Sequence, residues 1–287
     1  MSGRGKPDPA TLSAAALMAL EPQAARDLRE LASLAERPGT TATRKRGQGH
    51  EIREIRPYVE GDDLRHLDAA ATARTGMPQI RGFHEDRERS LMLIVDFRRP
   101  MLWGTRARLR SVAAAEALVI AGWRAILSGG AVGAVVLSDQ GPEVQVPRPR
   151  HRGMAGVAGL FARAHDRVLR QARGGVDGRR DLAPDLAAVC RHVPRGAGIV
   201  LATGLDRPGE DLDAALAALR ARGPLRILLV EDAFETTPPR AALPVLGDAG
   251  AGWASFAALA DDRDRRAARL VAPGQEVRRL ATHRAPT

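Results

Sequence analysis

Helical spacing opens the chain. Leu12, Leu17 and Leu20 precede Pro22, and Leu28, Leu31 and Leu34 recur beyond it on one helical face. Proline is tolerated in the first turn of a helix but breaks its interior, so the spacing predicts two helices meeting at Pro22. Arg37-Pro38-Gly39 ends the second helix, and the polar, basic stretch from Thr40 to Gly49 reads as a loop. From about residue 90 short apolar runs alternate with amphipathic stretches. Leu91 to Val95 is apolar on both faces, the mark of a strand inside a parallel sheet. A helix over Thr105 to Leu127 comes next, with Leu109, Val112, Val119, Trp123 and Ile126 on one side, until Gly129-Gly130 stops it. Ala131 to Leu137 is the next strand, and Glu143 to Val146 its hairpin partner at an edge. Two helices fill 151–192. Gly198 to Ala202 and Leu225 to Val230 are strands around a helix over Asp211 to Ala221, and Ser255 to Val271 closes the domain as a helix.

Strands separated by helices imply right-handed crossovers and an α/β fold: an open, doubly wound, mostly parallel sheet with helices on both faces. The divisions are a helical segment over 1–40, a strand and loop extension over 41–88, and the α/β domain over 89–287. Ligands of such sheets sit beyond the carboxyl ends of the strands.

The first strand ends in Asp96-Phe97-Arg98-Arg99-Pro100-Met101. An Asp there, with small hydroxyl residues two and four positions later, would hold Mg²⁺. Arg98 and Pro100 stand at those two positions. A guanidinium beside Asp96 competes for the carboxylate, and proline offers no side-chain oxygen. The strand from Gly198 runs into Thr203 and Gly204 where an acidic residue is expected, with Asp206 two residues on as a possible substitute. Gly174 to Arg180 lacks the threonine of a third ligand. The residues therefore predict no metal, and a partner surface around Asp96, Arg98, Arg99, Thr203 and Asp206, where Arg98 or Arg99 donates directly to a partner carboxylate.

Composition narrows the classes. Hydrophobic residues make up 44% and aromatics only 3%, so the core is built from Ala, Leu and Val. One cysteine, Cys190, excludes an internal disulfide and a four-cysteine zinc site; its apolar helical run predicts a small buried hydrophobe. No apolar run reaches the roughly 18–20 residues of a membrane helix. MSGRGKPDPA lacks a secretory apolar stretch, so the expected location is cytoplasmic. The net charge of +10 is carried by arginine, with Lys6 and Lys45 the lysines. Most arginines alternate with Asp and Glu, a solvated mixed surface; only Arg44 to Arg46, the arginines near 148–152 and Arg179-Arg180 are locally one-signed. That leaves polyanion or nucleic-acid binding as an alternative, though the stacking aromatics of single-strand binders are scarce. His66, Asp68 and His84 raise a second alternative, a metal-dependent hydrolase. Their spacing fits no helical zinc motif, and His50 to Glu54 lacks the second histidine of H-E-x-x-H. Neither a G-x-S-x-G elbow nor a phosphate-binding G-x-x-x-x-G-K-[ST] occurs, and no cofactor is implied.

The segment Gly49 to Asp68, GHEIREIRPYVEGDDLRHLD, continued by Ala73-Arg74-Thr75-Gly76, resembles the signature of the bacterial family called domain of unknown function fifty-eight. Arg56, Tyr58, Gly61, Asp62, Asp63, Arg65, Asp68 and Arg74 carry the likeness. Met101 and Gly104 match the family's pattern just beyond the first core strand, and Ala69 stands where the family has tryptophan. The resemblance implies a von Willebrand factor A-like domain that works with an AAA+ ATPase of the MoxR type in chaperone-like assembly, on a protein client the chain does not name. The signature itself reads structurally: Gly61 makes a turn, Asp62 caps a short helix, and Arg65 is clamped between Asp62 and Asp68, tying the extension to the α/β domain.

Overall fold

The apolar runs do become strands, and their order places the functional end. The computed structural model describes residues 8–35, 52–59, 67–83, 90–175, 178–247 and 250–284. The chain divides into two units, Met1–Leu34 with Arg89–Thr287, and Ala35–Glu88. The N-terminal helices thus belong with the α/β unit.

In that unit the sheet has six strands: β3 (Ser90–Asp96), β4 (Ala131–Ser138), β5 (Gly141–Pro149), β6 (Gly198–Thr203), β7 (Leu225–Glu231) and β10 (Gln275–Ala281). Their order is β10-β7-β6-β3-β4-β5. Only the β4–β5 pairing is antiparallel. Helices flank the sheet, and the alternation along β3 shows how. Leu93 and Val95 enter one apolar cluster with α1 (Ala14–Met18), α4 (Arg110–Leu127) and α5 (Arg150–Arg173). Met92 and Ile94 enter a second with α6 (Leu182–Cys190) and α7 (Leu212–Arg220). Burying both faces of one strand is what a continuous apolar run allows. Helix α2 (Glu21–Ala35) carries Pro22 in its first turn, separated from α1 as the spacing requires. Leu17 and Ala24 are buried, and Asp27 pairs with Arg124 of α4.

Three expectations are corrected. Helix α4 starts at Arg110, not Thr105, because 102–109 form a loop whose Thr105 is taken by Asp232. The chain does not close with a helix over 255–271: α9 (Leu259–Arg269) is shorter, and β10 comes after it to extend the sheet beside β7. A separate hairpin, β8 (Leu243–Gly247) with β9 (Gly250–Ala254), stands between the short helix α8 (Ala233–Thr236) and α9. Cys190 is half-buried rather than enclosed, its thiol directed to the Ala218 carbonyl.

The smaller unit pairs β1 (Ile52–Pro57) antiparallel with β2 (Gln79–Phe83) around the helix α3 (Ala69–Thr75). Much of the signature is architectural here. Arg56 lies opposite Ile80 in the ladder, and the Tyr58 amide donates to the Pro78 carbonyl at 2.9 Å. Asp68 caps α3 by accepting from the Ala71 amide at 2.9 Å. Arg74 lies exposed in the last turn, and Gly76 ends the helix in the left-handed region (φ 70°) that glycine enters without strain. Gly61, Asp62, Asp63, Arg65, His66 and His84 lie outside the described residues, and with them the proposed Arg65 clamp.

Candidate functional site

The carboxyl ends of β3 and β6 meet, and the parallel register sets Val95 beside Ala202. One step beyond, the Asp96 carboxylate faces the Thr203 hydroxyl, which donates to Oδ2 at 2.7 Å. The chain then turns so that Arg98 folds back over Asp96. Its Nε donates to Oδ1 at 2.9 Å and its Nη2 to Oδ2 at 2.8 Å, a bidentate pair. The Arg98 amide also reaches Oδ1, at 3.1 Å. Three backbone carbonyls complete the shell: Arg180 at 2.8 Å, Asp206 at 2.9 Å and Arg207 at 3.2 Å. A guanidinium has five N–H donors, and each one here has an acceptor. Arg98 and Asp96 are 0% and 1% exposed. Burial by itself would push the guanidinium pKa down, but the adjoining Asp96 carboxylate outweighs it and holds Arg98 above its ordinary value.

The loop after β6 supplies two of those carbonyls, at a cost. Leu205 (φ 56°) and Arg207 (φ 47°) both take the left-handed conformation, which disfavours residues with a Cβ. Such strain persists only where surrounding structure enforces it. The enforcing contacts are the carbonyls on Arg98 and the Leu182 and Ala183 amides, which bond to the carbonyls of Arg207 and Pro208.

A second arginine lies over Gly204. A Cβ built there would fall 1.3 Å from Arg110 Nη2, so Arg110 fills the space a side chain at 204 would take. Arg110 is buried, pairs with Asp206 at 2.7 Å, and lies over the Trp103 ring at 5.4 Å. A third buried arginine, Arg263 of α9, donates to the Gly204 carbonyl and pairs with Glu235. Its pKa is lowered by burial, with the neighbouring Arg110 adding to the effect. Asp232 anchors the far side, accepting from Thr105, Thr282 and the Phe234 amide. Burial pulls the Asp232 pKa up, but the hydrogen bonds from Thr105 and its other donors hold it below the usual range.

The five residues expected at this end are thus brought together, but in unequal roles. Asp96, Arg98 and Thr203 are buried, and Arg98 has no donor left for a partner. That corrects the expectation of direct contact through Arg98. Asp206 is 26% exposed and Arg99 is exposed, its amide held by Asp139 at 2.7 Å. Arg110, Arg263, Glu235 and Asp232 were missed. A usable signal existed for two of them: Arg110 shares the helical face of Ala113, Ala114 and Ala117, and Arg263 that of Ala267 and Leu270. Among the described residues no group of three or more His, Cys, Asp or Glu is arranged to hold a metal ion.

Relatives of the chain are themselves uncharacterized. An uncharacterized protein of Mycobacterium bovis and one of Mycobacterium tuberculosis are each 32% identical over 238 residues, covering 77% of this chain and 69% of the relative. A crystal structure of an uncharacterized membrane spanning protein from Vibrio fischeri is 12% identical, covers 69% of this chain and 91% of its own, and has a TM-score of only 0.18. The family model described as protein of unknown function DUF58 matches residues 54–275, from the signature strand through the whole arginine-filled end of the sheet. The chain belongs to the DUF58 family of proteins of unknown function.

Proposed function

We propose that this chain is a non-enzymatic adaptor with a von Willebrand factor A-like domain, in which Arg98 has taken the place of a divalent ion. One observation carries the reading: the Arg98 guanidinium sits among two carboxylate and three carbonyl oxygens with every donor used. Mg²⁺ demands near-octahedral oxygen ligation at about 2.1 Å. The residues do not fit that ion. Both Asp96 oxygens are engaged, position 98 is itself a cation, and Pro100 and Gly204 bring no side-chain oxygen. A tethered cation neutralises Asp96 permanently, so any signal that depends on loading and losing an ion is absent. The domain then acts as a fixed surface.

That surface is formed by Arg99, Arg207 and the part-exposed Asp206, held from beneath by Asp96, Arg98 and Thr203. The partner class comes from the family resemblance: an AAA+ ATPase of the MoxR type, acting with this chain in assembly of a protein client. The test is co-purification with such an ATPase from the same genome. The R99E/R207E variant is expected to lose capture while its melting curve stays unchanged. Undiminished capture would contradict this surface.

A further inference from the structure

The other end of the sheet is charged differently. At the carboxyl end the buried arginines are matched by carboxylates: Arg98 by Asp96, Arg110 by Asp206 and Arg263 by Glu235. At the amino end Arg148, Arg150, Arg152, Arg191 and Arg195 are exposed, and none pairs with a carboxylate among the described residues. The topology brings them to that end. The antiparallel β5 ends where β4 begins, with Pro149 opposite Ala131, so Arg148 and the first turn of α5 lie there. Arg191 and Arg195 lie in the connection from α6 to the start of β6.

Among the described residues, carboxylates at this end are already engaged: Glu21 with His151, Asp27 with Arg124, and Glu276 with Arg226 and Arg278. The start of α5 is the telling place. Its first turn holds Arg150, His151 and Arg152 and no acidic residue, although cations are disfavoured at a helix N-terminus. Among the described residues positive charge is therefore concentrated here and left without paired carboxylates. Two aliphatic side chains are exposed at the same end: Leu127, the last residue of α4, at 41%, and Val271, just after α9, at 75%.

We propose that the amino end of the sheet docks on an anionic phospholipid bilayer. Arginines donate to the phosphate and carboxylate headgroups, and Leu127 and Val271 enter the interface. A broad flat target suits charges spread from β5 to β6, and each basic side chain near such a surface adds to the attraction. Nucleic acid is the less favoured polyanion, because among the described residues no exposed Phe, Tyr or Trp lies at this end to stack on bases. The inference is independent of the partner surface at the carboxyl end.

The experiment is co-sedimentation of the whole chain with phosphatidylcholine vesicles, with and without phosphatidylserine. Binding is expected only when phosphatidylserine is present, and it is lost at high salt as exposed charges are screened. R148E/R152E is expected to weaken it about tenfold or more with an unchanged melting curve. W253A, altering the exposed tryptophan of the β8–β9 hairpin, is expected to leave it intact. Loss with W253A but not with R148E/R152E would overturn the proposal, as would no binding at low salt. Tighter binding to a single-stranded oligonucleotide than to the vesicles would overturn it in favour of nucleic acid.

Discussion

Asp96 and Arg98 are two buried charges that stabilise only as a pair. Breaking a buried ion pair leaves one charge stranded and costs about 3–5 kcal/mol, whereas replacing both by apolar residues is often near neutral. R98M alone is therefore expected to lose most of that amount in urea unfolding, and D96L/R98M to recover much of it. Equal losses in single and double variants would mean the pair is not coupled. A different residue is expected to contribute to acid stability. His165 is 0% exposed, contacts the Ser111 hydroxyl through Nε2 at 2.8 Å and meets Phe97 edge-on at 5.1 Å. Burial lowers its pKa from 6.5 to about 4. As pH drops below 6.5 the unfolded chain takes up the proton first, so stability falls until the folded protein is also protonated near 4. The loss over that window is about 3 kcal/mol. H165Q is expected to flatten this part of the profile; parallel profiles for both proteins would contradict it.

Elements were legible in proportion to their burial. The strands β3, β4, β6 and β7 announce themselves because both faces are covered and nearly every residue is apolar. β10 does not, since it is an edge strand whose Glu276, Arg278 and Arg279 leave only Val277 and Leu280 to mark it. β8 and β9 are short, rich in Pro and Gly, and exposed, with Leu246 at 86% and Trp253 at 76%. The site divides the same way. That Arg98 competes for Asp96 is evident from their spacing along one strand end. The carbonyl cage is not, because it depends on the left-handed turns at Leu205 and Arg207 and on α6 arriving from elsewhere in the chain. In the smaller unit, Asp68 as the cap of α3 is expected to contribute about 1 kcal/mol. D68A tests this by denaturant unfolding, with metal content measured alongside. A variant of unchanged stability that loses bound zinc or manganese would revive the hydrolase alternative.

At the scale of the whole α/β unit, charge on four of its helices tracks their direction, with α5 the exception. α4, α6, α7 and α9 all run from the carboxyl end of the sheet to its amino end. Asp185, Asp213, Asp261 and Asp262 lie in first turns, and Arg124, Arg220, Arg266 and Arg269 in last turns. Each placement complements the helix dipole. Among the described residues the result is an α/β domain with an internally neutralised carboxyl end and a cationic amino end. Everything proposed for the carboxyl end turns on Arg98 being the resident cation. Linkage gives the most direct test, because an ion that binds only the folded state raises the melting temperature of the entire protein. Melting of the wild-type chain is to be followed in millimolar Mg²⁺ or Mn²⁺ against a chelator. With Arg98 in place the curves are expected to superimpose; a saturable rise that D96N abolishes would contradict it.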